Sequence, residues 1–247
     1  MKRFLISLAT LIIPFTASAS TPDAVMLNPS NTLTLLGEVS EDMVEKVAKR
    51  IPQLSSDTVY VQLISPGGSV LSGKRIIDQL VALQAQGKQV VCVAHLAASM
   101  AFVILQSPAC PERAVVSGAL LMQHQASLRV QGQIYNILSN ITATVEELLE
   151  LEAMQAKRLQ LSVEQFKQLT VHDWWLNSGS AALKAKAADK DVVVLCSAEL
   201  LQRGNREELH FGNITMTVTV SDCPYVVKPK IEIKRNVDTP LLDSTLL

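Results

Sequence analysis

The sequence predicts an α/β fold with a mainly parallel central sheet flanked by helices, plus a small C-terminal β extension. Three observations carry this. Thr58–Ile64 and Gln89–Ala94 are short β-branched, apolar runs of the kind that form strands buried on both faces. Between them, Ile76, Ile77, Leu80, Val81 and Leu83 recur at helical spacing within 73–86. Strand, helix, strand in repetition implies parallel pairing. Near the other end, Ile214–Val220 alternates apolar residues with Thr215, Thr217 and Thr219, the pattern of a half-exposed antiparallel strand.

The elements follow in order. Lys2 and Arg3, the apolar stretch Phe4–Phe15 and Ala17-Ser18-Ala19 read as a secretory signal peptide over 1–19. That run is too short for a stable span of about 20 residues, so no membrane span is expected after cleavage. Residues 20–31 are polar and read as a flexible segment. Thr32–Leu36 reads as a strand closed by Gly37, and Ser40 as the cap of a helix carrying Met43, Val44, Val47 and Ala48. Ser65-Pro66-Gly67-Gly68 closes the strand that starts at Thr58. A helix starts near Ser99, a strand lies within 114–122 and leads to His124, and Ile134–Leu161 reads as one long helix. Ser162-Val163-Glu164-Gln165 is a capping box, and Asp191–Cys196 a further strand. Arg203-Gly204-Asn205-Arg206 reads as a turn or loop. The domain division is therefore a signal peptide at 1–19, a flexible segment at 20–31, an α/β domain at 32–195, and a β extension with a polar tail at 196–247.

Composition narrows the function. A formal net charge of −1 and 4% aromatic residues argue against a nucleic-acid partner. There is no G-x-x-x-x-G-K-[ST] loop and no C-x-x-C, so no nucleotide site, metal or other cofactor is expected. The 4 cysteines allow three pairings. In an exported chain an even count favours disulfides. Cys92–Cys110 and Cys196–Cys223 are preferred, because each pair brackets a local excursion of the chain.

The chemistry lies in four segments. A serine hydroxyl becomes a nucleophile when a base takes its proton, and that base is usually a histidine oriented by a carboxylate. Ser99 opens a helix after a strand, which exposes the hydroxyl and aims helix N–H groups at the reacting oxygen. The N–H of Met100 is thus one candidate oxyanion donor, and the N–H of Gly68, in the glycine turn, the other. His124 supplies a base and Asp173 an acid. Each signal alone has an ordinary explanation: a helix cap, a turn, one of 4 histidines, a solvated charge.

Taken together, and in order, these segments resemble the proteolytic subunit of Clp proteases over about Thr32–Val194. Leu35-Leu36-Gly37-Glu38-Val39 is similar to its first strand and turn, and Ile64–Val70 to its glycine turn. Ala97-Ala98-Ser99-Met100 is similar to its nucleophile segment, and Leu121–Gln125 to its base segment. Gln131-Gly132-Gln133 is similar to the start of its handle, and Asp173-Trp174-Trp175-Leu176 to its acid segment. The spacings from 99 to 124 and from 124 to 173 match as well. The resemblance implies the Clp–crotonase fold, with Ser99 as nucleophile, His124 as base, Asp173 as its orienter, and Gly68 and Met100 as oxyanion-hole amides. It also implies a homo-oligomer, with the long helix from Ile134 as a handle between rings. The chain departs from the pattern at Ala101, where glycine is usual, at His95-Leu96 in place of Gly-Gln, and at Ala126-Ser127-Leu128 in place of proline and glycines.

The functional expectation is an exported, periplasmic serine peptidase that acts on peptides or flexible protein segments. Outside the cytoplasm it would have neither ATP nor an ATPase partner. The alternative is a catalytically inactive Clp-like scaffold that binds a partner.

Overall fold

The computed structural model describes residues 22–127, 133–211, 214–223 and 230–235. The signal-peptide reading, Gln131-Gly132 and the tail beyond 235 lie outside them.

Six strands run in one parallel path. They are β1 (Asp23–Leu27), β2 (Thr32–Leu36), β3 (Thr58–Ser65), β4 (Gln89–Ala98), β5 (Glu112–Gln123) and β7 (Lys190–Cys196), in the order β1-β7-β5-β4-β3-β2. A short strand, β6 (Trp174–Leu176), adds to β5 antiparallel. The helices are α1 (Glu41–Arg50), α2 (Val70–Ala85), α3 (Met100–Gln106), α4 (Ile134–Arg158), α5 (Val163–Thr170), α6 (Gly179–Lys184) and α7 (Ala198–Gln202). The expected α/β class with its mostly parallel sheet is what the structure shows.

Local chemistry starts these helices. Ser40 accepts from Met43 N, Ser69 from Ser72 N, and Ser162 with Gln165 forms the full capping box. The long helix runs through Thr142 and Thr144 without a break. Two strands outrun their sequence signal, β4 reaching Ala98 and β5 starting at Glu112, because pairing with neighbours extends each ladder beyond its apolar run.

Two readings are corrected. Residues 23–27 are not a flexible lead-in: Val25 and Leu27 are buried, and β1 pairs in parallel with β7 at the sheet edge. The polar residues on either side concealed a five-residue strand. Nor are 204–206 a turn or loop. Strand β8 (Gly204–Phe211) already begins there and pairs antiparallel with β9 (Ile214–Ser221), so that Gly204 faces Ser221. β10 (Lys230–Arg235) completes this second sheet on the other side of β9. Cross-strand pairing overrides the turn-like composition.

Alternation along the parallel strands divides the core in two. Leu33, Leu35, Val59, Val61, Leu63, Cys92 and Val115 face the large helix-covered core. Val25, Leu27, Val91, Val93, Ala114 and Val192 face the opposite side, where Leu200 of α7 and Cys223 cover them. The segment that covers this second face is tied by Cys196–Cys223, with Cα atoms 6.5 Å apart, while Cys92–Cys110, at 5.4 Å, lies buried in the main core. Both pairs are the preferred ones. Gln62 Nε2 adds a polar anchor by donating to Asp222 O at 2.8 Å.

Candidate active site

The site forms where β4 and β5 end side by side. Ala97 faces Leu121, Ala98 faces Met122, and Ser99 N donates to Met122 O at 2.9 Å. This brings Ser99 at the tip of β4 beside His124 at the tip of β5. Ser99 Oγ lies 2.9 Å from His124 Nε2. That is hydrogen-bond distance for a nucleophile and its base.

Ser99 occupies the N-cap position of α3, yet its side chain makes no capping bond. Its φ is 53° and ψ −121°, a region that side-chain-bearing residues rarely enter. The tight strand-to-helix turn projects the hydroxyl away from the helix amides and toward the imidazole. This nucleophile-elbow geometry is absent from the amino-acid string, because serine is common at helix starts for a different reason.

The glycine turn fits against that elbow. A Cβ on Gly67 would stand 2.6 Å from both Ser99 Cβ and Ala98 O, and Gly67 has a φ of 96°. Gly68, with φ 145°, would drive a Cβ into Val39 O. Neither position admits a side chain without a shift. The neighbouring amides are engaged: Gly67 N–H donates to Ser65 Oγ at 3.1 Å, and Ser69 N–H to Val39 O at 2.8 Å. Gly68 and Met100 both line the pocket that holds Ser99 and His124. Met100 is the first residue of α3, and N–H groups at that position have no partner within the helix.

Asp173 is placed differently. Trp174 pairs with Gln123, so one step further along this antiparallel ladder Asp173 stands across from His124. Its side chain is exposed, however, and makes no hydrogen bond to the imidazole. The structure thus joins Ser99 and His124 directly and brings Asp173 opposite them by strand register alone. His172 is exposed, on the bend before β6. His95 lies at an irregularity in β4 and is buried; burial pushes its pKa down to about 4, so it is neutral at neutral pH. Arg113 and Asp189 hold the start of β5, with Arg113 Nε 3.1 Å from Asp189 Oδ2.

The pocket encloses about 270 Å³. Val70, Met100, Val103, Leu148, Leu151 and Phe166 give it apolar walls. Leu148, Leu151, Glu152 and Gln155 belong to one face of α4, a set that sequence reading did not single out although their spacing marks a single stripe. Among the described residues no three His, Cys, Asp or Glu side chains gather as a metal site, and no helix is long and apolar enough to cross a membrane.

A parallel α/β sheet whose adjacent strands end in a strained serine and a bonded histidine has the architecture of a serine hydrolase. The Clp protease family model matches residues 19–187, more than half of the chain, and the chain belongs to that family. Membership points to a serine peptidase, and members of the family typically form oligomers.

Proposed function

We propose that this chain is an exported serine peptidase that cuts peptides or flexible protein segments without ATP, using Ser99, His124 and Asp173. The observation that carries the reading is the 2.9 Å contact between Ser99 Oγ and His124 Nε2 inside a pocket. In the reaction His124 Nε2 takes the Ser99 proton as Oγ attacks the scissile carbonyl. The developing oxyanion is received by the N–H groups of Gly68 and Met100. His124 then gives its proton to the leaving amine, and water repeats the sequence to release the acyl group. Asp173 orients the imidazole through Nδ1 once the substrate is bound, since catalytic hydrogen bonds often close only in the complex.

Export is supported by the signal-like segment at 1–19, and independence from ATP follows from export. An oligomeric state suits the family and the exposed Ile134 and Tyr135 at the start of α4. A second reading, a non-catalytic scaffold, is favoured by the missing hydrogen bond between Asp173 and His124. Cleavage of a mixed peptide library by the mature protein separates the two. The peptidase reading expects turnover that Ser99→Ala and His124→Ala each lower at least about a thousandfold. Asp173→Asn is expected to lower it as well. Partner binding that survives all three variants, with no cleavage by the unaltered chain, supports the scaffold.

A further inference from the structure

We infer that the pocket beside Ser99 selects a cationic side chain, lysine or arginine, on the acyl side of the scissile bond, with Glu152 as its specificity residue. This rests on the peptidase reading above. The pocket that contains Ser99, His124, Gly68 and Met100 also contains Glu152, the only carboxylate among the described residues that line it. At about 270 Å³ it is smaller than the roughly 300–1,000 Å³ of pockets that hold drug-sized ligands, and it suits one side chain. Its walls are apolar, as the methylene stem of lysine or arginine requires.

The polar groups at its base are engaged with each other, except at Glu152. Gln123 Nε2 donates to Gln155 Oε1, and Gln123 Oε1 accepts from His124 N at 3.1 Å. Gln155 Nε2 donates to Leu151 O at 3.0 Å, and Thr170 Oγ1 to Phe166 O at 3.0 Å. Glu152 Oε2, by contrast, is buried and accepts no hydrogen bond. Among the described residues its counter-charge is Lys167 Nζ at 3.5 Å, the Lys167 side chain being 44% exposed and that of Glu152 27%. With one oxygen out of water and its cation no closer than 3.5 Å, the carboxylate gains from a nearer, hydrogen-bonded cation supplied by a substrate. Lys167, at the solvent edge, can swing out as the cation enters.

The test uses peptides identical except for lysine, arginine, norleucine or glutamate at the acyl-side position. The wild type is expected to cleave the lysine and arginine peptides with kcat/KM on the order of tenfold above norleucine, and glutamate least. Glu152→Gln brings the lysine-to-norleucine ratio near one while norleucine cleavage persists. Lys167→Met keeps or raises the ratio. If the pair only fastened α4 to α5, both variants would lower every substrate and the melting temperature alike. That outcome, a preference for norleucine in the wild type, or an unchanged ratio in Glu152→Gln overturns the inference. Cleavage through Ser99 with no cation preference leaves the peptidase reading standing. Absence of any cleavage and of any covalent Ser99 adduct removes the reading and this inference together.

Discussion

The two faces of the sheet are covered in different ways. On one, six helices, α1 to α6, share a 35-residue buried cluster with the strands, and glycine backbone closes tightly on Ser99. On the other, Leu200 of α7 and Cys223 cover six buried strand residues, held by one disulfide and a few polar anchors such as Gln62 to Asp222. The family match ends at residue 187, so the second cover lies beyond it. The difference teaches that the reacting residues are positioned by dense packing that tolerates local strain. The covering segment depends instead on a covalent tie.

The largest effect expected from breaking this contrast comes at Gly67. Gly67→Ala places a methyl against Ser99 Cβ at a backbone angle that disfavours side chains, and should cost about 4 kcal/mol in urea unfolding. Activity should vanish even where the variant still folds. On the opposite face, replacing Cys196 and Cys223 together by alanine should cost about 3.5 kcal/mol on the loop-entropy account, for a sequence separation of 27. Binding of a fluorescent apolar dye should rise as Val91 and Val93 become accessible. Cleavage per folded molecule should be retained, since no residue of that cover lines the pocket with Ser99.

Acid sharpens the same contrast, because the two regions respond with opposite sign. His95 has a folded pKa of about 4 against an ordinary 6.5, so between those values the unfolded chain binds more protons. Its contribution is therefore complete above about pH 6.5 and is lost as pH falls toward 4, up to about 3 kcal/mol. His95→Gln should flatten that part of the stability curve. Burial raises the pKa of Asp222, with Arg203 and Arg50 opposing, so the extension binds its proton more tightly when docked. Its docking should weaken slightly as pH rises through the carboxylate range, read by protease nicking near residue 203. The smallest effect is at the elbow itself. Ser99→Gly should stabilise the protein by about 1 kcal/mol through relief of the φ 53° conformation, while abolishing activity.

Much of this arrangement was legible in the sequence. The β-branched runs at 58–64 and 89–94, the serine caps at 40 and 162 and the period-two pattern at 214–220 each depend on neighbours close in the chain, and each formed its element. What stayed hidden depends on distant partners. β1 exists because β7 offers it an edge, and β8 because β9 does, whatever the composition of 203–206. The strain at Ser99 belongs to the junction of β4 with α3 and to the pressure of Gly67. Glu152 has its place only because α4 and α5 close over the tips of β4 and β5. Asp173 lies between: its spacing was readable, but its side-chain direction was not.

The central claim is that Ser99 is a nucleophile activated by His124. An active-site phosphonate, followed by peptide mapping in a mass spectrometer, tests it most directly. The account predicts one covalent adduct per chain, on Ser99, missing in Ser99→Ala and strongly slowed in His124→Ala, with both variants folded. A folded protein that takes no adduct on Ser99 at any phosphonate concentration, or takes one equally well without His124, contradicts it.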